Sequence, residues 1–153
     1  MSQQPSKSVA YKKADFKYFL TEDAWWQTSI QWIGLPEKIE FKDSQGVILI
    51  SLDRDGLLFA REGSGSDGPS GPTRDRPKFM RGAFGHDFLY ALMREDLLDR
   101  EQWREAADDD LRDWLIEDGM WPWWARNYVH RGVRWFAKKY TRASAKSPEL
   151  RAP

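Results

Sequence analysis

The chain of 153 residues contains no cysteine and only two histidines. The first absence excludes a disulfide framework and any thiolate metal site. The second excludes a His-rich metal cluster. There is no surplus of charge: 24 Lys+Arg stand against 24 Asp+Glu, for a formal net charge of +0. Bulk attraction to nucleic acid needs a basic excess, so nucleic acid is not an expected partner. No apolar run approaches the roughly 18 residues that a membrane-spanning helix requires. The opening MSQQPSKSVAYKK lacks the apolar stretch of a secretory signal, so export by a signal peptide is not expected. The abundance is in tryptophan, nine in all. A length of this order suits one domain, which buries about 70% of its unfolded surface and needs no staples. Composition reads as a soluble, Trp-rich globular domain of intracellular type.

Hydropathy patterning divides the chain in two. Residues 1–10 are polar and read as a flexible arm. From Phe16 to Leu20 and from Ala24 to Trp32, aromatic and β-branched residues predict strands. Lys38-Ile39-Glu40-Phe41-Lys42 alternates as a half-buried strand should. Asp43-Ser44-Gln45-Gly46 and Asp53-Arg54-Asp55-Gly56 read as turns around the apolar run Val47–Leu52, and Leu57–Ala60 closes the set. The connections are too short for crossovers, so the meander is antiparallel. In residues 61–77, Gly63, Gly65, Gly68, Pro69, Gly71, Pro72 and Pro77 forbid helix or central strand.

The second half reads as helical. Lys78–Arg94 carries Phe79, Ala83, His86, Tyr90 and Met93 at helical spacing. Asp99 suits the cap of a helix over 100–118, which Gly119 ends. Pro122 suits the first turn of a third helix, with Trp124, Tyr128, Val129, Gly132, Trp135 and Phe136 in register. The expected fold is α+β: a small antiparallel β-meander in the N-terminal half packed on three α-helices in the C-terminal half. Residues 11–140 form one domain, and 141–153 form a flexible tail.

Charge is unevenly placed. Eleven acids lie between Glu95 and Asp118, and eight basic residues with one acid between Arg126 and Arg151. Two helices with solvated, mutually attracting faces account for this; a basic end that meets phosphate groups is the alternative.

One constellation could carry chemistry. His86 and Tyr90, at i and i+4, share a helix face. Asp87 points about 100° away, toward the Gly/Pro loop. Asp108, with Leu111 and Leu115 at +3 and +7, lies on the packed side of the next helix, within reach of His86 and Tyr90; Asp109 and Asp110 read as peripheral. An imidazole held by a buried carboxylate and a phenol is a general base of fixed tautomer. Asp87 beside a glycine-rich loop that also carries Asp67 is a hard-cation site: bare glycine carbonyls plus Asp oxygens suit calcium. The same residues also suit a purely structural polar network, and the loop a plain turn.

Two resemblances enter at these residues. Asp67-Gly68-Pro69-Ser70-Gly71-Pro72, Phe79-Met80-Arg81-Gly82, His86-Asp87-Phe88-Leu89-Tyr90, Arg104 with Ala107-Asp108 and Leu111, Gly119-Met120, Tyr128 and Val133-Arg134-Trp135-Phe136 together resemble the phage-associated family of domains of unknown function numbered 1353. That resemblance spans roughly 57–140 and implies a phage or prophage origin, without naming a reaction. A glycine-rich loop, then H-D-x-x-Y on a helix, then an Asp on a following helix is similar to the secreted phospholipase A2 pattern. It implies His86 as general base, Asp87 as calcium carboxylate, Tyr90 and Asp108 as the groups that orient His86, and Gly68 and Gly71 in the calcium loop. This chain departs from that pattern: it lacks cysteines beside His86, and its loop order is G-S-D-G-P-S-G-P.

The tryptophans complete the reading. Trp114, Trp124 and Trp135 fall at core spacing, whereas Trp25-Trp26 and Trp121-Pro122-Trp123-Trp124 cannot all point inward. Exposed rings would serve a subunit or virion contact, a membrane interface, or stacking on bases. The expected function is a calcium-dependent hydrolase of phospholipase A2 type; the alternative is a non-catalytic virion-assembly or host-interaction protein. Expected partners are phospholipid or other viral proteins, with a homo-oligomer left open. The expected location is the host cytoplasm or the virion.

Overall fold

Two turns of the same composition set the strands. In each D-x-x-G segment the aspartate side chain accepts hydrogen bonds from backbone N–H groups beyond it. Asp43 Oδ1 takes Gln45 N at 2.8 Å and Val47 N at 2.9 Å. Asp53 Oδ1 takes Asp55 N and Leu57 N, both at 3.0 Å. Gly46 and Gly56 follow at φ +80° and +91°, the left-handed region that a side chain disfavours. The strands these turns join are antiparallel by necessity.

The computed structural model describes residues 3–14, 17–66 and 77–131. The strands are β1 (Tyr11–Ala14), β2 (Lys17–Leu20), β3 (Ala24–Gln27), β4 (Lys38–Lys42), β5 (Ile48–Asp53), β6 (Leu57–Ala60) and β7 (Gly65–Ser66). They form two antiparallel sheets, of order β1-β2-β7 and β3-β6-β5-β4. The helices are α1 (Pro77–Arg94), α2 (Arg100–Glu117) and α3 (Pro122–Trp124), which runs on into a wider π turn over Ala125–Val129. The fold is α+β, with the strands in the N-terminal half and the helices in the C-terminal half.

Local chemistry accounts for the helix limits. Asp99 caps α2, its Oδ1 accepting from Glu101 N at 2.9 Å and Gln102 N at 3.2 Å. The far end closes by paired bonds from Gly119 N to Ile116 O and from Met120 N to Leu115 O, the arrangement that satisfies the last carbonyls. Pro122 opens α3, where its missing N–H costs nothing.

Four features differ from the sequence expectation. The strand expected over 24–32 ends at Gln27, because Thr28 turns the chain: its hydroxyl donates to Gly56 O and accepts from Ile30 N. Tyr11–Ala14 is a strand, paired with β2 from Tyr11↔Leu20 to Ala14↔Lys17. The arm expected over 1–10 is tied at Ser6, which bonds backbone to backbone with Trp25 and accepts from Trp25 N on its hydroxyl. The strands divide between two sheets rather than one meander. Trp135, the third helix beyond Arg131 and the tail over 141–153 lie outside the described residues.

The core joins the larger sheet to α1. Trp26, Leu52, Leu58, Phe84, Phe88 and Leu92 are buried in one cluster. Two indoles converge on α1 at Gly85. Trp26 donates from Nε1 to Arg81 O at 2.9 Å, and Trp114 of α2 donates from Nε1 to Gln27 O at 3.2 Å. Each buried indole removes roughly 150–250 Å² from water, worth about 4–6 kcal/mol. A Cβ on Gly85 would stand 2.8 Å from the Trp114 ring and 2.9 Å from the Trp26 ring. One turn earlier, a Cβ on Gly82 would meet only the flexible ends of Leu111 and Leu115, at 3.2 Å. Arg81 fixes the direction of the pair, reaching Asp118 at 3.0 Å and Glu117 at 2.9 Å from the start of α1 to the end of α2. The two helices are therefore antiparallel.

The two glycines should respond differently to alanine. Each substitution gains about 1 kcal/mol of helix propensity. At position 85 that gain is outweighed by overpacking against two rigid rings, about 1–3 kcal/mol. Urea denaturation should show Gly85→Ala destabilised by up to about 2 kcal/mol and Gly82→Ala within about 0.5 kcal/mol of wild type or more stable. Equal effects at the two positions would contradict the packing described here.

Candidate active site

The close approach of α1 and α2 brings His86, Tyr90 and Asp108 together. His86 Nε2 lies 2.9 Å from Asp108 Oδ1, and Tyr90 donates its hydroxyl to the same oxygen at 2.5 Å. The imidazole and phenol rings are neighbours, with centroids 4.0 Å apart and planes at 43°. Asp108 is 0% exposed and His86 6%. A buried carboxylate needs charged or hydrogen-bonded neighbours. Arg104, one turn back on α2, supplies the charge: its Nη1 stands 3.8 Å from Asp108 Oδ2. Neither of those two atoms makes a hydrogen bond among the described residues.

The arrangement dictates proton positions. A carboxylate only accepts, so His86 Nε2 carries the hydrogen of the neutral ring. The other nitrogen, Nδ1, is then a lone-pair acceptor. Burial, then the Asp108 charge, pushes the Tyr90 phenol well above its ordinary range. It stays protonated and donates.

Asp87 follows the expected direction and leaves the helix pair. Its Oδ2 accepts from the Ser66 hydroxyl on β7, where the chain enters the segment that carries Asp67, Gly68 and Gly71. Those three residues lie outside the described ones. Carboxylate and hydroxyl oxygens are hard donors of the kind calcium takes. Among the described residues, no group of three or more His, Asp or Glu is placed to hold a metal.

The run Asp108-Asp109-Asp110 serves three directions. Asp109 meets the second histidine: His130 Nε2 lies 2.7 Å from Asp109 Oδ1. Asp110, expected to be peripheral, is buried. Both its oxygens accept from Ser29 N, at 3.1 and 3.0 Å, which ties α2 to the loop after β3. No sequence signal marks that bond, because the donor is a backbone N–H far away in the chain. Trp124, expected in the core, is 48% exposed; the neighbouring Ala125 takes the inward position against Leu111 and Leu115. Arg104 entered the sequence reading only through the first resemblance; its i, i+4 relation to Asp108 was the signal that it serves this carboxylate.

Surface hollows lined by described residues include one of about 350 Å³ between Val9, Tyr11, Lys78 and Met80 and another of about 480 Å³ around Asp96–Glu101. Neither touches His86.

Comparison with models of protein families, with curated proteins and with solved structures finds no match. The two resemblances rest on the residues quoted for them.

Burial also sets a pH dependence. It raises the Asp110 carboxyl to about 6, against the opposing pull of Ser29 N. Between the ordinary value of 3.8 and that raised value, the folded state holds a proton that the unfolded chain has released. Stability at this site therefore falls as pH rises through that window, by up to about 3 kcal/mol. Asp110→Asn keeps an acceptor for Ser29 N and removes the titration. Its stability relative to wild type should increase between pH 4 and pH 7 in urea denaturation; a difference independent of pH would contradict the assignment.

Proposed function

We propose that this chain is an ester hydrolase of phospholipase A2 type and of phage or prophage origin, with His86 as general base. The observation that carries the reading is the single Asp108 oxygen that receives both the imidazole Nε2 and the Tyr90 hydroxyl. It fixes the tautomer that leaves Nδ1 basic.

In the proposed reaction, Nδ1 takes a proton from water as the water oxygen adds to the ester carbonyl carbon. The imidazolium that forms is stabilised by Asp108. The ring then gives the proton to the departing alkoxide as the ester C–O bond breaks, leaving an acid and an alcohol. Tyr90 and Arg104 hold Asp108 in place and carry no proton in the step. Asp87, with Asp67 and the carbonyls of Gly68 and Gly71, would hold the calcium. Bound there, the ion would polarise the ester carbonyl and stabilise the oxyanion.

A second reading has its own support. His86 is almost fully buried, as a structural side chain would be. In that reading the His86–Asp108–Tyr90 network locks α1 to α2, and the protein is a non-catalytic component of virion assembly or host contact.

One experiment separates the two. Fatty acid released from phosphatidylglycerol vesicles is measured with calcium and with a chelator, for wild type, His86→Asn and Asp87→Asn. The hydrolase reading expects calcium-dependent release by wild type and a loss of about 100-fold or more in His86→Asn. It expects His86→Asn to melt within a few degrees of wild type, and Asp87→Asn to lose the calcium response. No release by folded wild type, or release by His86→Asn at the wild-type rate, overturns it. A large drop in melting temperature in His86→Asn, with no hydrolysis by wild type, is the result the structural reading expects.

A further inference from the structure

The start of α3 presents three indoles to solvent. Trp121, Trp123 and Trp124 are 71%, 58% and 48% exposed. The inward side of the same segment is already served, since Ala125 is fully buried and packs with Leu111 and Leu115. The Trp123 and Trp124 rings stand edge to face, with centroids 5.3 Å apart. So much exposed aromatic surface on one short segment exceeds what scattered surface residues explain.

The charge around the rings narrows the choice of partner. Arg126 and Arg131 are exposed on the segment that follows. From Arg126 to Arg151 the sequence holds eight basic residues and one acid. In a two-fold dimer through this patch, the arginines of one copy would face those of the other. An anionic lipid surface opposes no such charge: it attracts the arginines, and its headgroup layer takes indoles, apolar in body with one polar N–H. Among the described residues, no helix is long and apolar enough to cross a membrane, so contact through these helices would lie in the plane of the surface.

We propose that the Trp121–Trp124 segment, with Arg126 and Arg131, is a peripheral docking surface for anionic bilayers. This inference rests on exposed rings and their charge and does not depend on the chemistry at His86. The segment lies at the far end of α2 from the Asp99 cap, so the docking face and the 96–101 turn sit at opposite ends of that helix.

The test is co-sedimentation of the full chain with vesicles of phosphatidylcholine alone or mixed with phosphatidylglycerol. The expected results are binding to the mixed vesicles, weakening as salt is raised, and a blue shift of tryptophan emission. Trp121→Ala/Trp123→Ala should lose at least about tenfold in partition, with an unchanged melting temperature because both rings are exposed. Arg126→Gln/Arg131→Gln should lose several-fold and become less sensitive to salt. His86→Asn should bind as wild type does, which keeps a failure of the hydrolase reading distinct from a failure here. Three results overturn the proposal: no binding to the mixed vesicles, equal binding by the double tryptophan variant, or self-association through these rings in sedimentation velocity with the vesicles ignored.

Discussion

The approach of α1 to two tryptophan rings is the constraint on which the rest depends. Gly85 lets Trp26 of β3 and Trp114 of α2 close on the helix backbone, where a Cβ would stand within 3 Å of both rings. That one contact joins the larger sheet, α1 and α2. It also sets the height at which α2 passes α1. With Arg81 holding the ends in antiparallel order, Asp108 arrives level with His86 and Tyr90. The polar cluster is thus a consequence of how the apolar core packs. A glycine inside a helix costs about 1 kcal/mol in propensity; at Gly85 the close contact with the two rings recovers that cost.

The aspartate run on α2 shows how helix geometry distributes one residue type among three tasks. Successive side chains diverge by about 100°. Asp108 turns to α1 and holds an imidazole and a phenol. Asp109 turns to His130 on the segment after the π turn. Asp110 turns to Ser29 N and anchors the loop that follows β3. The three carboxylates share a composition and differ in surroundings: one is fully buried among donors, one is partly open to water, and one is buried against the backbone and side chain of Ser29. Their chemistry follows from those surroundings.

Much of this was legible in the sequence, where the cause is local. The D-x-x-G turns, the Asp99 cap, the end at Gly119 and the start at Pro122 all depend on residues within a few positions of one another. The His86–Tyr90 face followed from i, i+4 spacing, and the inward direction of Asp108 from Leu111 and Leu115. The features that escaped are those whose cause lies elsewhere in the chain. Tyr11–Ala14 carries two lysines and becomes a strand only because β2 offers it an edge. The burial of Asp110 depends on Ser29, and the outward turn of Trp124 on Ala125 taking the inward place. Gly82 and Gly85, three apart in an apolar helix, were a signal of close packing that periodicity alone does not weigh.

The central claim is that this packing gives His86 one tautomer, protonated at Nε2 toward Asp108 and bare at Nδ1. Long-range ¹⁵N–¹H correlation of the imidazole side chain reports this directly, with Tyr90→Phe and Asp108→Asn as comparisons. The account predicts that neutral His86 in the wild type shows a protonated Nε2 and an unprotonated Nδ1, and that the preference weakens in Asp108→Asn. A ring protonated at Nδ1, or one that averages between both tautomers in the wild type, would contradict it.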